Sequence, residues 1–268
     1  MTQQRGIGAD GVHEVYAIKY ATVNRARQSN FLDPVEGDPD APMALDFFIW
    51  LVRGNGASLL VDTGFSRVSA LARNRAFLQE PVQALLSLGV SADAISDVAI
   101  THLHYDHAGN VNQFPGATVW LQEREIAYAT GKCMCDRKQS HFFALDDVSV
   151  VLKRIYDGEV RLIDGMHPFA PGIEFHRVGG HTDGLQIVRV RTARGWVVLA
   201  SDAAHYYENL RRQNPFPAIF SKSDMMEGYA RIRQLADGED NIIPGHDPEV
   251  CVKFERLDLP GAHIYRIA

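Results

Sequence analysis

The segment Thr101-His102-Leu103-His104-Tyr105-Asp106-His107-Ala108-Gly109 constrains this chain more than any other. It places four side chains able to bind a metal within six residues, directly after a short apolar strand expected at Asp97–Thr101. In an extended segment His102 and His104 fall on the same side. A turn after them sends Asp106 and His107 in another direction, towards a second ion. A zinc ion is content with three or four nitrogen or oxygen ligands, so a mononuclear structural site would not need all four.

Three further segments put a His or Asp where the chain leaves a strand. Gly180-His181-Thr182-Asp183-Gly184 lies between two expected strands. Ser201-Asp202-Ala203 follows apolar Trp196–Ala200, and Pro244-Gly245-His246-Asp247 follows Asn241–Ile243. Glycine beside the first and last of these turns lets the backbone come close. Side chains spread this widely along the chain must converge on one site. The 268 residues therefore read as one domain, 1–268, although length alone leaves a second domain open.

The rest of the chain supplies alternating strands and helices. Strands are expected at Val12–Tyr20, Val119–Gln122, Ile173–Val178 and Leu185–Arg191, and a hairpin over Phe47–Val52 and Ser58–Asp62 around Gly54-Asn55-Gly56. Helices are expected at Glu80–Leu88, Glu123–Thr130 and Asp224–Ala236, the last with Ser223 as its cap. Asn24–Leu45, broken by Asp33-Pro34, Gly37, Pro39 and Pro42, reads as a long irregular excursion covering the site. Strands in two groups with interspersed helices predict a layered α/β sandwich.

Composition narrows the partners. A net charge of -6 gives no electrostatic footprint for nucleic acid or anionic lipid. No apolar run reaches the ~20 residues that span a bilayer. Met1–Gly8 lacks the apolar stretch of a signal peptide. Three cysteines (Cys133, Cys135, Cys251) without framework spacing suit a reducing compartment. The expectation is a cytoplasmic protein acting on a small molecule, with no nucleic-acid or membrane partner. The apolar N-terminal excursion is a candidate homodimer contact.

The ordered set of motifs resembles the metallo-β-lactamase-fold hydrolase superfamily, from about Phe47 to His246. Leu59-Leu60-Val61-Asp62-Thr63-Gly64 matches that superfamily's early Asp-Thr-Gly strand end. The resemblance implies a four-layer αββα sandwich with the site at one edge of the two sheets. It implies that His102, His104 and His181 hold one metal, that Asp106, His107 and His246 hold another, and that Asp202 bridges them. Asp62 would orient a ligand from outside. The cofactors implied are two divalent ions, zinc foremost, with iron, manganese and cobalt also suited to such ligands.

Two such ions lower the pKa of a shared water and polarise the bond under attack. A bridging hydroxide attacking an ester, lactone, thioester or amide follows from that chemistry. Within the superfamily, Asp202 speaks against the β-lactamases proper, and His104 stands where flavodiiron proteins carry Glu. Gly245-His246-Asp247 and Asp202-Ala203-Ala204 look like the quorum-quenching N-acyl-homoserine lactonase branch. That branch has a Tyr three residues after the bridging Asp. Here the position is His205, followed by Tyr206 and Tyr207. Asp106, His205 and Tyr206 are thus the candidate catalytic side chains of a lactone hydrolase. Cyclic amide hydrolysis, a glyoxalase II-like thioesterase and a mono-iron sulfur dioxygenase are the alternatives. Phe31, Tyr105, Phe142-Phe143 and Pro215-Phe216-Pro217 with Phe220 are candidates for an apolar cleft wall, and Arg211-Arg212 for an exposed helix face or, failing that, a contact to an acidic substrate.

Overall fold

Along the strand Glu14–Ala26, Val15 and Ala17 join one apolar cluster while Tyr16, Ile18 and Tyr20 join another, and all five are buried. A strand apolar on both faces must be covered on both, which requires a layer above and a layer below. A computed structural model describes residues 11–54 and 57–268. The readings of Met1–Gly8 and of Asn55-Gly56 lie outside the described residues.

Two sheets make up the middle layers. The larger runs Glu255–Arg256, Ile264–Arg266, Glu14–Ala26, Pro42–Gly54, Ala57–Val61, Asp97–Ala99, Thr118–Gln122, Val160–Ile163, with Ala76–Phe77 paired to Glu14–Ala26. The smaller runs Ile242–Pro244, Gly195–Ser201, Gln186–Thr192, Ile173–Arg177, Met166–Ala170. Phe48, Trp50, Leu59 and Val61 of the first meet Phe175, Val188, Val190 and Leu199 of the second. Outside the larger sheet, Ile49, Leu51, Leu60 and Val119 pack on Leu85, Ile126 and Val151 of three helices. Outside the smaller, Ile187, Val198 and Ile242 pack on Met225, Tyr229 and Ile232. These three apolar interfaces separate four layers, the αββα sandwich.

The helices Pro81–Ser87, Glu123–Thr130 and Lys222–Leu235 fall where expected. The cap of the last is Ser221, whose side chain accepts from the Asp224 amide, in place of Ser223. Leu145–Tyr156, unassigned above, is a helix with Asp146 and Asp147 in its first turn and Lys153 and Arg154 in its last, both favourable to its dipole. The excursion is shorter than expected. Glu14–Ala26 and Pro42–Gly54 stay paired as far as Ala26↔Pro42, leaving only a short turn at Arg27–Asn30 and the loop 31–41. Each strand satisfies the other's amides and carbonyls, so the ladder outlasts the apolar pattern that announces it.

Ala57–Val61 and Asp97–Ala99 run parallel, as do Gly195–Ser201 and Ile242–Pro244. Residues that follow the carboxyl ends of such strands share one edge of a sheet, where ligands commonly bind. Asp62, the Thr101–His107 segment, Asp202 and His246 all do so.

Candidate metal centre

His102, His104, His181 and Asp202 each bring one potential ligand atom within 4.8 Å of the others, and Asp106, His107 and His246 do the same. All seven are buried. Asp202 joins the two groups. Its Oδ2 lies 3.1 Å from His181 Nε2 and 3.7 Å from His102 Nε2. Its Oδ1 lies 2.9 Å from His246 Nε2 and 3.2 Å from His107 Nε2. His104 Nδ1 is 3.0 Å from His181 Nε2, and Asp106 Oδ2 stands 3.8 Å from His107 Nε2.

These spacings suit a metal. Two ligands about 2.0–2.1 Å from a tetrahedral zinc stand roughly 3.3 Å apart. His102 Nε2, His107 Nε2 and Asp202 Oδ1 are buried without a hydrogen-bond partner, despite their close polar neighbours. Nitrogens that converge but are not aligned to bond one another are placed to share a cation. Their outward sides are held. His107 Nδ1 donates to Asp62 Oδ2 at 2.7 Å and His246 Nδ1 to the Asp46 carbonyl at 2.7 Å, which leaves the inward Nε2 lone pairs free. Asp62 also accepts from the Thr101 amide (2.7 Å) and hydroxyl (2.8 Å). Both Asp62 (φ 61°) and Ser201 (φ 45°) adopt the left-handed conformation, a strain that persists where surrounding contacts enforce it.

The electrostatics differ between the halves. Burial and neighbouring imidazoles hold His102 and His104 well below the usual histidine range. Burial opposes charge on His107 and His246 as well, yet nearby carboxylates, Asp202 foremost, raise both. Asp202 is buried too, but His205, His246, His107 and His181 keep it well below the usual carboxylate range.

An open cleft reaches this cluster, and His104, Asp106, His181, Asp202 and His246 line it. His205 lines it as well, with Nε2 3.1 Å from Asp202 Oδ2 and its ring stacked flat on Phe216, centroids 3.9 Å apart. Burial draws its pKa down to about 3. Tyr206 is placed elsewhere. It stacks on Phe31 and donates its hydroxyl to the Ala44 carbonyl at 3.1 Å, outside the cleft wall. Of the expected aromatic wall, Tyr105, Phe142 and Phe216 line the cleft, and so does His141. Phe31, Phe143 and Phe220 pack on Tyr206, His104 and Tyr128 instead. Arg25 and Leu45, at the two ends of the expected excursion, reach the cleft, whereas Asp33 and Glu36 of the 31–41 loop pair with Lys222 and Arg212. Arg211 and Arg212 form ion pairs on a helix face with Glu249 and with Glu36 and Glu208.

Sequence reasoning missed two features. Glu125, fully buried in the helix Glu123–Thr130, accepts from the Leu103 amide (2.9 Å), the Thr182 hydroxyl (2.6 Å) and the Gly184 amide (3.1 Å). It therefore ties the His102-Leu103-His104 segment to the His181-Thr182 turn. A Cβ on Gly184 would meet the Glu125 amide nitrogen at 2.1 Å, so only glycine permits this approach. The helix opens Glu123-Arg124-Glu125, and nothing in the sequence marks the third of these charges as the buried one. The second feature is three arginines on the cleft wall, Arg25, Arg73 and Arg75. No motif marks them.

Residues 48–246 match the family model of the metallo-beta-lactamase superfamily. The chain is 25% identical over 223 residues to an N-acyl homoserine lactonase of a Bacillus species, covering 76% of this chain and 83% of that one. Its fold is similar to that of an N-acyl homoserine lactone hydrolase solved with N-hexanoyl-L-homoserine at the catalytic metal centre (TM-score 0.72, 22% identity, 89% of this chain and 94% of that one). It is also similar to AidC, a dizinc quorum-quenching lactonase (TM-score 0.69, 18% identity, 91% and 89%). The relatives and the His/Asp cluster together support a metal-dependent hydrolase. With its four layers, its His and Asp side chains gathered at strand ends and a family match over most of its length, the chain belongs to the metallo-beta-lactamase superfamily.

Proposed function

We propose that this protein opens a lactone ring by metal-assisted hydrolysis, with the whole chain acting as one domain. The observation that carries the reading is Asp202, whose two oxygens face two separate histidine groups beside an open cleft. His102, His104 and His181 would hold one divalent ion and Asp106, His107 and His246 the other, with Asp202 between them. Such ions supply a nucleophile from water and a Lewis acid at neutral pH. Imidazole and carboxylate ligands suit zinc, and iron, manganese or cobalt also.

The protein's own groups then orient the reaction. His107 and His246 are held by Asp62 and by the Asp46 carbonyl, so their rings do not swing when substrate enters. His205 occupies the position after Asp202 from which a side chain reaches the substrate. Burial keeps its imidazole neutral, and stacking on Phe216 fixes its plane. With its one N–H turned to Asp202 Oδ2 at 3.1 Å, a neutral imidazole fixed in this way orients that carboxylate at the cleft wall. Tyr206, through the Ala44 carbonyl, braces the strand that brings Leu45 to the cleft. The N-acyl homoserine lactonase relative supports a lactone as the substrate, ahead of a thioester or a cyclic amide.

The test is turnover of lactones, thioesters, cyclic amides and phosphodiesters by metal-loaded protein, alongside metal analysis. Lactone opening should stop on chelation and in His102→Ala or Asp202→Ala, with metal content falling in both variants. Lactones left intact while a thioester or cyclic amide is cleaved would replace the substrate class. One iron per chain with oxygen consumption would replace hydrolysis itself.

A further inference from the structure

Three guanidinium groups line the cleft beside the metal cluster: Arg25, from the strand Glu14–Ala26, and Arg73 and Arg75, from the turn between Arg67–Ala72 and Ala76–Phe77. Among the described residues none of the three has a carboxylate within 4.0 Å, whereas Arg27, Arg154, Arg189 and Arg233 of the same chain each pair with a Glu. Asp147 feels the charge of Arg73 but lies beyond ion-pair distance. The carboxylates that do line the cleft are Asp106 and Asp202, and both face the histidine clusters.

The arginines are positioned by uncharged contacts. Arg73 lies 3.8 Å over the Tyr105 ring and donates to the His141 carbonyl at 3.2 Å. Arg75 donates Nε to the Tyr105 hydroxyl at 3.2 Å and a terminal nitrogen to the Arg73 carbonyl at 2.8 Å. Arg25 lies 4.9 Å from the centroid of Phe216, the ring on which His205 stacks. Burial lowers the pKa of Arg25, and the charge of Arg75 lowers it further. Grouping half-buried cations without a counter-charge is unfavourable unless something else neutralises them. Most of their N–H groups remain unused, in the planar fork that fits a carboxylate.

We propose that Arg25 and Arg75, beside Arg73 on the same wall, form a subsite for a carboxylate on the substrate, so that the ring opened here is that of a small acidic lactone. This deepens the lactone-opening reading and rests on it. One water is consumed: its oxygen bonds to the ring carbonyl carbon, the ring C–O bond breaks, and the leaving oxygen takes a proton. The new carboxyl group releases another, and the product is a hydroxy-dicarboxylate. One of its carboxylates lies at the metal cluster and the other at the arginines.

Two measurements on the metal-loaded protein test this. The first compares kcat/KM for 5-oxotetrahydrofuran-2-carboxylate with that for γ-valerolactone, a neutral lactone of the same ring size. The acidic lactone should be preferred, chiefly through KM. Arg25→Gln or Arg75→Gln should lower the acidic-to-neutral ratio about 10- to 100-fold, the value of a charged hydrogen bond. The second measures binding of 2-hydroxyglutarate and 4-hydroxybutyrate by calorimetry. The dicarboxylate should bind at least about 10-fold tighter, and either substitution should remove that advantage. Two single variants guard against one that fails to fold, and circular dichroism checks each. If both lactones are opened at equal efficiency, or the ratio is unchanged in both variants, the subsite is wrong and lactone opening stands. If neither lactone is opened but the dicarboxylate binds tighter through the arginines, the subsite stands and the lactone reading falls.

Discussion

Replacing Glu125 by alanine removes a carboxylate that connects two turns bearing candidate metal ligands. Its partners are the amides of Leu103 and Gly184 and the hydroxyl of Thr182, and Leu103 and Thr182 are fully buried. Each backbone N–H left without an acceptor costs about 1–3 kcal/mol, and two are lost here. Against this stands the cost of the buried carboxyl itself, which burial pushes up to about 7 despite its three donors. The net expectation is a loss on the order of 2–5 kcal/mol, a large share of the roughly 5–15 kcal/mol by which domains are stable. Urea unfolding of chelated protein isolates this loss. Metal titration should in addition show weaker binding, because Leu103 lies between His102 and His104 and Thr182 follows His181. Glu125→Gln is the matched control, since it keeps the shape but turns an amide donor towards existing donors. A loss below about 1 kcal/mol in the chelated alanine variant, with metal affinity unchanged, would refute the coupling.

Gly184→Ala should also destabilise the protein, because its Cβ would lie 2.1 Å from the Glu125 amide nitrogen; an unchanged melting temperature would count against this packing. Asp62→Asn should weaken metal binding about 10- to 100-fold, since the carboxylate that orients His107 is lost, and a metal titration reads this directly. Metal removal should lower the melting temperature by more at pH 8 than at pH 6. In the metal-free fold the raised pKa values of His107 and His246 contribute stability below the ordinary histidine pKa of about 6.5. That contribution is lost as pH rises through the raised values. Metal binding displaces the same protons and so strengthens with pH. Paired thermal melts of loaded and chelated protein would show the gap widening, and a constant gap would contradict the assignment.

Much of the candidate site is legible in the amino-acid sequence alone. His102, His104, Asp106 and His107 are local in sequence, and strand ends that carry an Asp or His, two of them beside glycine, announce the other candidate ligands. Apolar alternation locates strands for the same reason, since burial of one or both faces is decided residue by residue. His205 is legible as a cleft residue through the resemblance, since it stands three residues after Asp202 where the lactonase branch carries a Tyr. Tyr206, one residue on, points away from the cleft to the Ala44 carbonyl, because neighbouring side chains in extended backbone face opposite ways.

What only the tertiary structure decided depends on register and on turns. The pairing of Arg25 with Met43 carries Arg25 to the cleft, where the sequence suggested an irregular excursion. The turn with Asn74 in the left-handed conformation brings Arg73 and Arg75 to the same wall from a different element. Glu125 meets two turns that lie 22 and 57 residues away along the chain. The ligand motif is written locally because a metal ion draws several donors from one short segment. The arginine subsite and the Glu125 brace are not, because each exists only after separate elements have packed, and no spacing in the sequence records that meeting.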